Sequence, residues 1–195
     1  EVRQIASEIN LPVADKKDST GICFIGERDY RNFLQNYIKD AEGPIVNYDT
    51  QEVLGHHNGV MFYTIGQRYG LDISTAVGPW FVVGKDLERN VLLVGQGFHN
   101  DLLYSTSLTA VKTSFTTNRT FDKHFSCTAK FRYRQTDVPV DVTLLDNGDW
   151  SVTFSEPTRA ITPGQSVVLY DGDECIGGGT IDEVFKNGEK LTYVG

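Results

Sequence analysis

FSCTAKFRYR, residues 125–134, sets Phe125, Cys127, Ala129, Phe131 and Tyr133 in alternation with Ser126, Thr128, Lys130, Arg132 and Arg134. A period of two is that of a β-strand, with one apolar face for a core and one face carrying three cations. Outward from this strand, the chain after Tyr104 carries only strand signals. Runs at Val138–Leu145, Trp150–Ser155, Ser166–Tyr170 and Gly177–Val184 are separated by DNGD, EPTRAITPG and DGDE, each readable as a turn or loop. Several short strands at this spacing predict a small closed antiparallel barrel.

Upstream, IVNY, EVLGHH, PWFVV and NVLLV read as further strands, the last two joined as a hairpin through GKDLERN. Before them, Tyr30, Phe33, Leu34, Tyr37 and Ile38 recur at helical spacing behind Asp29, a candidate N-cap. A second helical face, Val2, Ile5 and Ile9, would end at Asn10 before Pro12. The expected fold is mainly β with one or two helices: a small α+β central domain, then a C-terminal antiparallel β-barrel. The expected divisions are residues 1–28, a catalytic-domain tail with an exposed loop from Asp15 to Arg28; residues 29–104, the central domain; and residues 105–195, the barrel. The chain opens without methionine inside a helical pattern, as a fragment would.

The 195 residues carry 18 Lys and Arg against 26 Asp and Glu, a formal charge of −8. That excludes a histone-like polybasic binder. The distribution is uneven: residues 112–134 hold six basic and one acidic residue, whereas residues 135–195 hold three and eleven. Screening over roughly 8–10 Å would let the basic stretch contact phosphate despite the total. The alternative is a solvated strand face.

Cys23, Cys127 and Cys175 are an odd, scattered set that fits a reducing cytosol, hence a cytoplasmic location. No apolar run approaches the roughly 18 residues of a membrane span. Cys127 falls on the apolar phase of its strand and Cys175 precedes Gly177-Gly178-Gly179, so both read as structural. Cys23 sits between Gly21-Ile22 and Phe24-Ile25 with Lys16, Lys17 and Arg28 nearby. Nearby cations favour a reactive thiolate, whereas the apolar setting alone favours a packed thiol. His56 and His57 would point to opposite strand faces and lack Cys-x-x-Cys company, so no metal is expected.

Longer strings are more specific. KKDSTGICFIGER (16–28), HNGVMFYTIGQRYGL (57–71), PWFVVGKDLERNVLLVGQG (79–97), KFRYRQ (130–135) and RAITPGQSVVLYDGDECIGGGTI (159–181) together resemble the bacterial tRNA-specific 2-thiouridylases, in order and over nearly the whole chain. The resemblance implies ATP-dependent replacement of the C2 oxygen of the wobble uridine by sulfur. An N-terminal domain, with ATP and Mg, would adenylate that oxygen, and a persulfide on Cys23 would deliver sulfur to C2. A second cysteine, upstream of residue 1 in the family order, would complete the transfer. This chain has neither that cysteine nor the family's phosphate loop, so it should bind no cofactor itself and be inactive alone. The resemblance also implies tRNA contact at Arg132, Tyr133 and Gln165, with Lys130 and Arg134 added from their strand phase. Tyr133 is in dispute, since its phase is that of the core. Tyr63–Arg68 would hold either RNA or the domain junction. Implied partners are tRNA and a sulfur donor such as a cysteine desulfurase or relay protein, with no membrane. The competing reading is a non-catalytic RNA-binding β-barrel in which Cys23 is incidental.

Overall fold

In the computed structural model, the described residues are 2–16, 41–73, 78–133 and 135–193. The helix expected over Tyr30–Ile38, the Cys23 loop and Arg134 lie outside them. The chain divides into residues 1–39 and residues 40–195. In the first unit α1 spans Val2–Glu8. Asn10 closes it in the left-handed region at φ 51, with Leu11 N–H on Ala6 O at 2.9 Å and Asn10 N–H on Ser7 O at 3.0 Å. These two bonds satisfy carbonyls that a helix end otherwise leaves open.

The second unit holds two sheets. β1 (Gly43–Asn47), β2 (Val53–His57), β3 (Trp80–Asp86) and β4 (Val91–Gln96) form a four-stranded sheet in the order β2-β1-β4-β3, with β1 and β4 parallel and the other pairs antiparallel. The larger sheet contains β5 (Tyr104–Phe115), β6 (His124–Lys130), β7 (Val138–Leu144), β8 (Trp150–Arg159), β9 (Ser166–Asp171), β10 (Glu174–Lys186) and the short β11 (Glu189–Lys190). Its order is β11-β10-β5-β8-β7-β6-β9, and β9 pairs back onto β10, so six antiparallel strands close a barrel. Closure leaves those six strands no open edge.

Side-chain alternation decides what fills it. Ala129, Phe131, Val140, Val142, Val152, Phe154, Val167 and Leu169 are buried, in one continuous cluster with Ile45, Val82, Leu92 and Val94 of the small sheet. The triple glycine lets β10 pass between β5 and β9. A Cβ on Gly177 would stand 2.6 Å from Ser114 O, and one on Gly178 2.8 Å from Val167 O. Glycine in a strand interior is what such close backbone approach requires.

Two of the boundaries that differ from expectation shape the site. β6 stops at Lys130: Phe131 N–H leaves the ladder for Gln135 Oε1 at 2.9 Å, and Gln135 N–H returns to Arg132 O at 3.2 Å, turning the chain. Tyr133 therefore escapes the core phase and is 90% exposed. In EPTRAITPG the first residues are strand, since β8 continues to Arg159 opposite Tyr104. Its ladder with β5 breaks between Ser105 and Ser107, and the irregularity accommodates Pro157, which cannot donate a ladder bond.

Candidate nucleic-acid interface

The turn after β6 and the turn before β9 face one another. Thr162-Pro163-Gly164-Gln165 closes with Gln165 N–H on Thr162 O at 3.3 Å, with proline and a positive-φ glycine at its two corners, the pattern of a type II turn. Ile181 N–H on Gln165 O at 2.7 Å and Gly164 N–H on Ile181 O at 2.8 Å fix this turn to β10. Between the two turns lies an open pocket of about 630 Å³, lined by Lys130, Phe131, Arg132, Tyr133, Gln165 and Tyr170 among others. Arg132, Tyr133, Gln165 and Lys130, singled out from sequence, are thus brought together. Arg134 lies outside the described residues.

Arg132 is held from across the junction of the two sheets. Its Nη2 donates to Ile65 O at 2.7 Å, to Ala160 O at 2.9 Å and to Thr162 Oγ1 at 3.4 Å. Among the described residues its Nε and Nη1 make no hydrogen bond. Burial, then the neighbouring charge of Arg159, pushes its pKa down. A guanidinium starting so far above neutrality stays charged. The side chain is a rigid fork, anchored by one nitrogen on neutral carbonyls and carrying an uncancelled positive charge.

Arg159, which sequence reasoning passed over, is its neighbour. Its guanidinium lies 5.0 Å from the Phe81 ring centroid and 4.4 Å from that of Phe98, and its Nε donates to Phe98 O at 3.3 Å. Beside it, Ala160 adopts φ 57, unusual for a residue with a Cβ, and its N–H binds Leu103 O at 2.6 Å. The segment Tyr63–Arg68 forms the other wall of this junction. Ile65 supplies the carbonyl for Arg132, Gly66 N–H binds Val82 O at 2.7 Å, and Val82 N–H binds Gln67 O at 2.9 Å. No period or motif spacing marks Arg159 and Ala160; the one signal was their place at the head of the RAITPGQ string.

Three other cations of the basic stretch have found partners in the acidic segment that follows it. Arg119 pairs with Asp171 at 2.8 Å and Glu174 at 3.1 Å, Lys123 with Asp146 at 2.8 Å, and Lys130 with Asp137 at 2.9 Å. The local excess of charge in the sequence is therefore largely offset in space. Lys130 also donates to Gln135 O at 3.0 Å and lies 5.8 Å from the Tyr170 ring.

His56 is exposed and His57 buried, on opposite faces as adjacent strand residues must be. Gly59 N–H donates to His57 Nδ1 at 3.0 Å, and His57 Nε2 lies 3.1 Å from Asn90 O. That pair fixes a neutral ring with its proton on Nε2, and burial pushes its pKa down. Cys127 is partly buried, and desolvation with Asp171 and Asp141 nearby pushes its thiol up to about 11, an inert form. Cys175 is exposed, against the expectation of a packed residue, because it enters at the start of β10 before that strand dips into the barrel. Cys23 lies outside the described residues. Among those described, no group of three metal-ligating side chains converges and no helix is long and apolar enough to cross a membrane.

Residues 31–96 match the family model described as "tRNA methyl transferase PRC-barrel domain", residues 105–181 that described as "Aminomethyltransferase beta-barrel domain", and residues 1–27 that described as "tRNA methyl transferase HUP domain". Over its full length the chain is 64% identical to the tRNA-specific 2-thiouridylase MnmA of Lysinibacillus sphaericus, 60% to that of Listeria monocytogenes and 59% to that of Geobacillus thermodenitrificans. The chain belongs to the tRNA-specific 2-thiouridylase family. It spans about half the length of the curated relatives it matches, 52% in each of these three. Within this chain, the stretch matched as a β-barrel domain begins at β5 and ends in β10, the two strands that flank one another in the closed sheet.

Proposed function

We propose that this chain holds RNA and carries sulfur for an enzyme that replaces the C2 oxygen of a tRNA wobble uridine with sulfur, in the cytoplasm. The observation that carries the reading is the pocket in which Arg132, Tyr133 and Gln165 meet, in a relative of proteins named for tRNA 2-thiolation. Arg132, anchored through Nη2, offers Nε and Nη1 to a phosphate in the bidentate geometry that guanidinium suits. Tyr133, exposed at the rim, presents a face on which an unpaired base stacks, and the Gln165 amide can read a base edge or a 2′-hydroxyl. Single-stranded loops, whose bases can be splayed out, are the form of RNA such a pocket takes.

The proposed division is a sulfur-carrying segment at residues 1–28, a central domain at 29–104 and a tRNA-holding barrel at 105–195. In the transfer, the terminal sulfur of a Cys23 persulfide attacks C2 of a uracil whose oxygen carries AMP. The C2–O bond breaks and AMP leaves with the oxygen. A second cysteine then attacks the inner sulfur, leaving the new sulfur on C2 and a disulfide with Cys23. ATP with Mg supplies the AMP, and the described residues build no site for them. A cysteine desulfurase or relay protein loads the persulfide.

Intact-mass measurement tests the sulfur-carrying role. After incubation with a cysteine desulfurase and cysteine, the chain should gain one sulfur atom, and Cys23→Ser should not. In the complete enzyme, Cys23→Ser should abolish 2-thiouridine formation and leave tRNA affinity unchanged. Undiminished thiolation by Cys23→Ser would overturn the mechanism and favour an RNA-binding barrel alone.

A further inference from the structure

Ion pairing sorts the cations of residues 41–193 into two groups. Arg89, Arg119, Lys123, Lys130, Lys186 and Lys190 each have a carboxylate within ion-pair distance. Among the described residues, Arg68, Lys85, Lys112, Arg132 and Arg159 have none. Two arginines of that second group meet at one short segment, and the third lies on it. Arg132 donates to Ile65 O, and a Cβ on Gly66 would lie 3.3 Å from Arg159 Nη1 and 3.9 Å from Arg132 Nη1. Arg68 follows two residues later, at most about 7 Å of extended chain. Arg159 Nη2 is buried there and makes no hydrogen bond among the described residues. On a chain of net charge −8, Arg132 and Arg159, side by side with no carboxylate in ion-pair distance among the described residues, form a place for an incoming anion, and Arg68 follows on the same segment.

The chemistry of the Arg132 pocket is repeated there. Arg68-Tyr69 and Arg132-Tyr133 are the same dipeptide, and Tyr133 at 90% and Tyr69 at 79% are the two most exposed aromatic rings among the described residues. The Arg68 guanidinium lies 5.6 Å from the Tyr69 ring centroid, and a pocket of about 300 Å³ opens beside them between Leu71, Pro79 and Trp80, with Asp72 also in its wall but not ion-paired with Arg68. Gln67 Nε2 holds Tyr69 O at 2.9 Å, so the segment that bears the pair is braced.

We propose that Arg68 and Tyr69 form a second nucleotide site, in which Arg68 takes an RNA phosphate and Tyr69 stacks on a base of the strand that occupies the Arg132 pocket. The site rests on the RNA-binding reading above and extends the interface from the barrel onto the segment that carries Ile65, Gly66 and Arg68. Stacking on tyrosine tolerates any base, so this contact adds affinity and register while leaving base identity to Gln165.

The test is titration of the 195-residue chain with a labelled, unmodified tRNA transcript across a salt series. Arg68→Gln should weaken binding about fivefold or more and lower the log–log salt slope by about 0.7–0.9, the loss of one phosphate contact. Tyr69→Ala should weaken it similarly with the slope unchanged, and Tyr69→Phe should bind as wild type. Arg89→Gln, an exposed arginine paired with Asp86, is the control and should change nothing. Wild-type binding by both Arg68→Gln and Tyr69→Ala, with Arg132→Ala weakened, overturns the second site and leaves the first. An equal loss in Arg89→Gln overturns the pairing argument, and a wild-type chain that binds no tRNA overturns both readings.

Discussion

Arg119 on the outside of the barrel and Arg132 at the junction are the same residue type, thirteen positions apart, in opposite electrostatic states. Arg119 lies against Asp171 and Glu174, and those carboxylates push its pKa up. Arg132 rests on the carbonyls of Ile65 and Ala160, and burial beside Arg159 pushes its pKa down. The first cation is discharged locally and attracts little at a distance. The second is fixed in place by dipoles that hold it without cancelling it. Charge for an anionic ligand therefore resides where the two sheets meet, on Arg132 from the basic run and Arg159 from outside it.

The largest break in this contrast comes from the support of Arg132. Gly66 stands at φ +82 with a would-be Cβ 2.7 Å from Ala160 Cβ. Gly66→Val therefore meets both a left-handed backbone and a clash, and we expect a loss of about 2–3 kcal/mol in chemical denaturation. Displacing Ile65 would also free the Arg132 fork, so tRNA affinity should fall together with stability. A stable Gly66→Val that binds tRNA normally would show that the junction does not position Arg132.

Next in size is Arg132→Ala, for which we expect about a tenfold loss of tRNA affinity and a salt slope lower by about 0.7–0.9. An unchanged slope with reduced thermal stability would assign Arg132 to holding the sheets together instead, since its removal takes a donor from the Ile65 carbonyl and leaves the Ala160 carbonyl only Thr162 Oγ1.

The barrel was legible because its strands alternate: Ala129, Phe131, Val140 and Val142 are buried as their period requires. The turn after Lys130 was not, because a local side-chain bond, Phe131 N–H to Gln135 Oε1, outcompeted the ladder at a point where the alternation continues unbroken. That single event took Tyr133, whose phase and motif disagreed, off the core side and onto the pocket rim. Arg132 and Gln165 were legible through the resemblance. Arg68 was singled out only as the end of the Tyr63–Arg68 segment, with RNA and the domain junction both open, and Arg159 was hidden, since it has no ion-paired carboxylate among the described residues, a property of three dimensions that segment charge counts do not show. The pairing of Lys123 with Asp146 joins the basic stretch to the acidic one and makes the same point.

The small sheet deals with a buried basic group in a third way, by keeping it neutral. Accepting Gly59 N–H at Nδ1 leaves His57 no room for a second proton, and its folded pKa lies below the ordinary 6.5. The unfolded chain therefore takes up that proton first. His57 contributes its stability above about pH 6.5, and that contribution is lost as pH falls below it toward the folded pKa. We expect Tm to fall between pH 7 and pH 5.5, with a shallower fall in His57→Gln. Parallel profiles for the two proteins would mean that the ring is not held neutral.

The smallest effects are expected where the sequence placed the most charge. Arg119 and Lys123 are exposed and already paired, with Nη1 2.8 Å from Asp171 and Nζ 2.8 Å from Asp146. Exposed pairs contribute little to stability, and removing the cation also uncovers a carboxylate that repels RNA only weakly through screened solvent. Arg119→Ala and Lys123→Ala should each leave tRNA affinity within about twofold of wild type and the salt slope unchanged. Measured beside Arg132→Ala under the same salt series, they separate two accounts of binding. If either variant lowers the slope as Arg132→Ala does, RNA is attracted by the whole basic face and pairing with carboxylates does not silence a cation. If neither does, the attraction is confined to the arginines that the fold has left without an acid.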